Sequence, residues 1–526
     1  MKGSGAAVAV GGADRAKRPE GRSPEAHEIH IGMDVLELVS TAMYVDPMTV
    51  YREYVQNAAD AIDAARRDGV LDGDELGVVD VTVEAGPRRI RIRDNGTGIP
   101  AGEFVGRLTS LGGSRKRGTD ARGFRGVGRL AGLAYAQELV FRSRVEGEGS
   151  VSELRWDCRK LRSELRNPPG SGDVVDLIRS VVSVGRVDGA GMPARFFEVE
   201  LNGVVRLRTD KLMNPKAVAD YLGQVAPVPF SRDFRLGAGI TSFLRGTVGL
   251  CELDINVSGV DGPVRRPHGD TFAVDEGVEA AFTELQTVEI PGIDGGTAAV
   301  AWVLHHDYEG AIPTANSIKG LRLRSGNIQV GEHALLEEMF AEPRFNSWSV
   351  GEVHVVDRRI VPNGRRDHYE QNAHFQNLLN HLTPLAKEIG KRCRWSSVKR
   401  KHMRDFATHG QVAREKIAIL GQGALQGGER GGLTSAVEQS LAEMARIAGM
   451  DLLAEDAPEA MREEVAVLRR DLAHALDEGS PASSPLARLP EDRRRMYEHL
   501  FELVYECSTN RTAAKALVDR ILLKLA

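Results

Sequence analysis

Cysteine is scarce in this chain: Cys158, Cys251, Cys393 and Cys507 are scattered through 526 residues with no C-x-x-C pair. That scatter argues against a disulfide framework or a zinc knuckle and fits a reducing cytosol, the expected location. Long apolar runs are missing as well. No window approaches the roughly 20 apolar residues that a membrane helix needs, so no membrane partner is expected. The Ala/Val run in "MKGSGAAVAVGGADRAKRPEGRSPEA" is broken by glycine and too brief for a secretion signal, which leaves residues 1–25 as a flexible tail. An excess of either charge is also lacking, with 69 Lys and Arg against 74 Asp and Glu, so any basic surface is local.

What is present reads as globular. A hydrophobic content of 42% and a charged content of 27% are ordinary, and the length suggests two to four domains, each with its own core. After the tail, "HIGMDVLELVSTAMY" has helical spacing, and Asp46 and Pro47 then cap and start a second helix, "YREYVQNAADAIDAARR". "VVDVTVEAGPRRIRIRD" alternates on both sides of a Gly-Pro turn, the pattern of a hairpin with Asp94 at the end of its second strand. The segment from Thr109 to Gly128 has a loop composition, and "LAGLAYAQELVFRSR" resumes helix and then strand. Short strands are expected from about Val174 to Val205, a second αβ unit from near Asn214, and helices beyond about Leu382. "GQGALQGGERGG" and "DEGSPASSP" read as linkers within that helical region.

The second helix raises the functional question. Tyr51, Val55, Ala58, Ile62 and Ala65 form its core stripe, while Glu53, Asn57 and Asp60 form another line roughly 200° away at about 100° per residue. A solvated face would look the same. Downstream, "RDNGTGIP" sets Asp94 before Gly96 and Gly98, whose missing side chains permit a close backbone approach. "SLGGSRKRG" follows, and then "GFRGVGRLAG", a Gly-x-x-Gly-x-Gly turn entering a helix, which suits a phosphate. It is not a dinucleotide fingerprint, because its spacing is reversed and no acidic residue follows about 20 positions on.

In this order the three segments resemble the ATP-binding domain of the GHKL superfamily, which includes gyrase B subunits, ninety-kilodalton heat-shock chaperones, sensor histidine kinases and MutL-type repair proteins. The resemblance covers about residues 30 to 145. Glu53, Asn57, Asp60 and Ala61 match the first motif; Asp94, Gly96 and Gly98 the second; and the run Gly123, Phe124, Arg125, Gly126, Val127 and Gly128 the third. The resemblance implies an α+β chain. Its parts are a Bergerat-type ATPase domain at 26–210, a transducer-like α/β domain at 211–385 and a helical region at 386–526. It implies ATP and Mg²⁺ as ligands, with the Asn57 amide oxygen on the metal, Glu53 as general base and Asp94 reading the adenine. Asp60 supports the site. The resemblance also implies Ser114 and Lys116 as phosphate contacts of the loop that resembles the ATP lid, with solvated charges on a flexible loop as the competing reading of Arg115, Lys116 and Arg117.

Dimeric clamps of this kind send a cation from the second domain to the γ-phosphate, for which Lys319, Arg365 and Arg366 are the candidates. Ordinary surface cations are the competing reading. One departure stands out: the family's Gly-Thr pair entering a late strand has no threonine counterpart in "GMPARFFEVEL". "HHD" at His305 to Asp307 puts neighbouring imidazoles on opposite faces of a strand and reads as structural. The expectation is a Mg²⁺-dependent ATPase working as an ATP-gated homodimeric clamp on a protein client, with final helices that could form the dimer interface. Three alternatives stand beside it: a histidine kinase, given His27 and His30; a clamp on DNA, given the basic run around Trp395; and a nucleotide-gated interaction protein with little hydrolysis.

Overall fold

The computed structural model describes residues 46–72, 75–110, 128–166, 174–425, 427–453, 458–478 and 485–525. The tail, the helix expected before Asp46, and His27 and His30 lie outside them. The first sheet gathers β1 (Val78–Glu84), β2 (Arg89–Asp94), β3 (Glu138–Arg144), β4 (Ser150–Asp157), β5 (Val182–Asp188), β6 (Phe196–Asn202) and β7 (Asp254–Val257) in the order β5-β4-β3-β6-β2-β1-β7. All its pairings are antiparallel except β1 with β7. The helices α1 (Thr49–Arg67), α2 (Ala101–Thr109), α3 (Cys158–Arg166), α4 (Val174–Val181), α5 (Pro215–Val225) and α6 (Gly237–Arg245) interleave with these strands. Alternation explains the β1–β2 hairpin, where Val79, Val81, Ile90 and Ile92 turn inward while charged residues turn out.

The second sheet runs β10-β11-β14-β12-β13, from β10 (Glu284–Pro291), β11 (Thr297–His305), β12 (Gly320–Ser325), β13 (Ile328–Val330) and β14 (Val350–Val355). A small hairpin of β8 (Thr271–Asp275) and β9 (Val278–Ala281) precedes it. Among the described residues five α-helices follow: α7 (Ala373–Leu420), α8 (Gly427–Ala448), α9 (Pro458–Glu478), α10 (Glu491–Cys507) and α11 (Arg511–Leu525). None among the described residues is long and apolar enough to cross a membrane.

Mixed α and β content in this arrangement is α+β, as expected. Several local expectations need correction. Residues 174–181 are helical rather than strand, because Val174, Leu177 and Val181 sit at helical spacing and are buried together. The first core includes Leu212, Val218, Leu222, Ile255 and Val264, so the first unit runs past residue 210, closed by the parallel pairing of β7 with β1. No break falls at 385 either. The 48-residue α7 crosses that point, with Phe375 to Cys393 in the core of the second sheet and residues from Phe406 onward in the helical core. "GGERGG" opens α8 instead of forming a linker.

Candidate functional site

At the entrance of α1, Asp46 Oδ1 accepts from the Met48 amide at 3.1 Å, and the Asp46 carbonyl accepts from Thr49 at 3.1 Å. The apolar stripe of α1 faces the core as read from its spacing. The opposite line does not face water: Glu53 and Asp60 are each 6% exposed, and Asn57 is half-buried between them. Carboxylates are rarely buried without a counterpart, so a helix enclosed on this side holds them for a reason other than solubility.

The second motif is folded onto this helix. Asp94, buried at the end of β2, accepts the Gly96 amide on Oδ1 at 2.9 Å, and Thr97 donates its amide to the Ala61 carbonyl at 3.4 Å. A Cβ on Gly96 would lie 2.8 Å from Ala61, and Gly98, at φ +69°, abuts the Arg144 carbonyl. The backbone approach that these glycines permit is therefore first of all to α1 and β3.

Gly128 opens the turn Gly128–Ala134, and any Cβ there would overlap Glu53 Oε2. The Tyr54 hydroxyl fastens this turn to α1 by donating to the Arg129 carbonyl at 3.1 Å and accepting from the Gly132 amide at 2.9 Å. Burial pushes the Tyr54 pKa up, so its hydroxyl stays protonated. Ser114, Lys116, Gly123, Phe124, Arg125, Gly126 and Val127 lie outside the described residues. Within them, Gly96 is joined to Asp94 and Ala61 and Gly128 to Glu53, with Asn57 and Asp60 on the same helix as Glu53 and Ala61, while Gly98 lies against β3.

The second unit reaches this helix. Arg366, left-handed at φ +55° and 7% exposed, is set by its own carbonyl, which accepts from the Gly331 amide at 2.9 Å. Burial lowers its pKa, while the carboxylates of Glu53 and Asp60 oppose that shift. Arg52 ties the units together, donating through Nη2 to the Arg365 carbonyl at 3.0 Å and to Glu53 Oε1 at 3.3 Å. Arg365 itself points away, with its Nε 3.5 Å from Asp367 and a side chain 54% exposed. Lys319 precedes β12 and reaches Thr314 Oγ1 at 3.4 Å. A cleft of about 610 Å³ opens between α1, α5 and the second sheet, lined by Thr49, Arg52, Tyr221, Arg322, His333 and Arg365; Asn57 and Asp94 are not in its lining.

Residues 45–170 match the family model described as the histidine kinase-, DNA gyrase B- and HSP90-like ATPase. They form a GHKL-type, Hsp90-like ATPase domain. This GHKL-type domain is similar to chaperone protein HtpG of Bordetella parapertussis, 29% identical over 140 residues, and of Anaplasma phagocytophilum, 32% identical over 140 residues. HtpG of Acinetobacter baylyi is 28% identical over 139 residues. Each alignment covers 23% of this chain and 22% of the relative, so the chain spans about a fifth of the length of the curated relatives it matches.

Motif spacing left out two contributors to the geometry of the GHKL-type domain. Arg52 sits beside the motif glutamate and reads as an ordinary helix cation until Arg365 is seen against it. Tyr54 belongs by spacing to the apolar side, and its buried hydroxyl explains why Gly132 lacks a side chain, since a Cβ there would lie 2.6 Å from that oxygen.

Proposed function

We propose that this chain binds ATP with Mg²⁺ and hydrolyses it, as a dimeric, chaperone-like clamp of the cytosol that acts on protein clients. The observation that supports this reading is Glu53 seated against Gly128, with Arg366 of the second unit buried where the Glu53 and Asp60 carboxylates act on its charge. A carboxylate beside a glycine turn, in the field of a buried guanidinium, is able to orient a water for attack on a terminal phosphate. Glu53 is assigned as the base, with Arg52 holding one of its oxygens. Asp94 accepts from the adenine amino group, and the Gly96 amide holds the carboxylate in place.

Asn57 fits the metal by the chemistry of its donor. Mg²⁺ favours oxygen and shares its shell with waters and phosphates. No group of three or more His, Cys, Asp or Glu among the described residues could hold a metal by itself, which suits a cation carried in with the triphosphate. When bound, Mg²⁺ neutralises charge on the phosphates. Arg366, rather than Lys319 or Arg365, is assigned to the γ-phosphate. ATP then draws the two units together only so far as Arg366 gains contacts in the closed state. On α10 the exposed stripe Met496, Leu500 and Leu503, at i, i+4 and i+7, supports the final helices as the dimer contact.

The test compares ATP hydrolysis and nucleotide binding in wild type, Glu53→Ala, Arg366→Ala and Asp94→Ala. Glu53→Ala is expected to lose about a hundredfold or more in rate while still binding nucleotide. Arg366→Ala should lose at least about tenfold with little change in affinity. Asp94→Ala should lose binding. Wild-type hydrolysis by Glu53→Ala would overturn the assignment. A mass measurement with a non-hydrolysable ATP analogue tests the dimer, and stimulation of hydrolysis by unfolded protein tests the client.

A further inference from the structure

The central part of α7 carries a concentration of charge that the chain as a whole lacks. Between Glu388 and Asp405 there is no acidic residue, and seven of the sixteen residues are Lys or Arg. Part of this charge is used internally. Arg392 pairs with Glu284 at 2.7 Å, Arg394 with Glu342 at 2.8 Å, and Arg400 donates to the Tyr308 carbonyl at 2.9 Å while lying over the Trp348 ring. Lys391, Lys401 and Arg404 have no ion pair or side-chain hydrogen bond among the described residues.

The orientation of the helix is set from its other side. Ile389 and Cys393 are buried, Ser396 donates to the Asp307 carbonyl at 2.7 Å, and Arg400 is held as above. What remains outward is a single stripe of Lys387, Lys391, Arg394, Trp395, Val398 and Lys401, all exposed, at i, i+4, i+7, i+8, i+11 and i+14. At 1.5 Å per residue it is about 21 Å long, about six phosphates of one strand at the spacing of B-form DNA. Trp395 is 60% exposed, whereas Trp156, Trp302 and Trp348 are 0%, 0% and 8% exposed. An indole presented to water between lysines, on a helix that needs neither for packing, has the makings of a stacking platform in an electrostatic groove.

We infer that this stripe of α7 binds single-stranded nucleic acid, with Lys387, Lys391 and Lys401 on backbone phosphates and the Trp395 ring stacked on an unpaired base. Charge complementarity selects a polyanion. The exposed ring selects a strand whose bases are free to stack, because a duplex keeps its bases paired and its phosphates outward. The inference is independent of the nucleotide site, since none of its residues belongs to α1 or to the first sheet.

Binding of the full-length protein to a labelled 20-nucleotide single strand and to the matching duplex is measured by fluorescence anisotropy at 50 and 200 mM salt. Tight binding of the single strand at 50 mM, weakened about 20-fold at 200 mM for three phosphate contacts, is expected. Trp395→Ala should weaken the single strand about fivefold or more. Lys391→Gln with Lys401→Gln should lower the slope of log affinity against log salt by about 1.4. Because the other tryptophans are buried, the single strand should quench indole emission in wild type and not in Trp395→Phe. All three variants are on the surface, and unchanged circular dichroism separates loss of binding from loss of fold. Absence of binding at 50 mM salt, equal binding by all variants, or a preference for the duplex that ignores Trp395 would each overturn the inference. So would anionic vesicles or an acidic peptide binding this face while the oligonucleotide does not.

Discussion

The two sheets hold their charges in opposite ways. On the first, Arg142 bridges Glu153, Glu198 and Glu200 at 2.8 to 3.0 Å across β3, β4 and β6, with its side chain still 15% exposed. Burial alone would raise the Glu153 and Glu200 pKa values, but the arginines more than offset it and hold both below the usual carboxylate range. In the second unit, Glu352 lies between Arg266 and Arg324, none more than 3% exposed, with His354 Nε2 at 3.0 Å. Burial pushes the Glu352 pKa up, yet Arg266, Arg324 and His354 hold it well below its usual value. Burial keeps His354 neutral at pH 7, with its pKa down at about 4, so its contact with Glu352 is a hydrogen bond rather than an ion pair.

The difference lies in what water can repair. A partner removed from the partly exposed cluster on β3, β4 and β6 is replaced by solvent, while one removed from the enclosed cluster on β12 and β14 leaves bare charge in a medium of low dielectric. The second cluster also ties the units together, since Arg324 donates to the Ala226 and Gln224 carbonyls at the end of α5. Histidine sharpens the contrast. The chain has none between His30 and His268, so the described part of the first unit, up to Val264, contains no such group, whereas the second unit buries His268, His305, His306 and His354.

The largest effect is expected from Glu352→Gln, which leaves Arg266 and Arg324 without their carboxylate. A loss of about 3 to 5 kcal/mol is expected in urea unfolding, and a loss below about 1 kcal/mol would erase the distinction between the sheets.

Acid should come next. His268 and His354 have folded pKa values pushed down by burial to about 3 and about 4, below the ordinary 6.5. The unfolded chain therefore binds more protons, so their contribution is complete above about pH 6.5 and falls as the pH drops toward those values. Between pH 6.5 and 5 this amounts to about 2 kcal/mol per histidine. The carboxylates of the first sheet lose theirs only below about pH 4.5. Amide-exchange protection, corrected for intrinsic rates, should fall in β11 and β14 at pH 5 and persist in β3 and β6; simultaneous loss would count against the assignment.

A smaller change is expected from Arg142→Ala, about 1 to 2 kcal/mol by thermal unfolding, because the three glutamates it leaves regain water. Smallest is Arg179→Ala, whose pair with Asp176 has side chains 76% and 74% exposed. No measurable shift in Tm is expected there.

Much of the first unit could be read from the chain because its signals are local. The stripe from Tyr51 to Ala65, the Gly-Pro hairpin ending at Asp94 and the order of the three motifs are patterns of spacing, and spacing alone sets which side chains share a face. The strands expected over 174–181 and the second half of the linker expected at 421–432 are helical because short apolar or glycine-containing segments fit more than one local form, and packing chooses between them. The boundary near 210 escaped because β7 joins β1 by a pairing more than 170 residues distant in the chain, which no local pattern records.

The sequence by itself determined that a carboxylate, an amide and a second carboxylate line one helix beside two glycine-rich segments. Only the tertiary structure decided that Glu53 and Asp60 on this line are buried, that Gly128 is small because Glu53 fills its place, and that Arg366 of the second unit is buried where the charges of Glu53 and Asp60 act on it while the Arg365 side chain points away. The reason is range. Helical periodicity acts over a few residues, whereas setting Arg52 against the Arg365 carbonyl depends on how two separately cored sheets settle against each other.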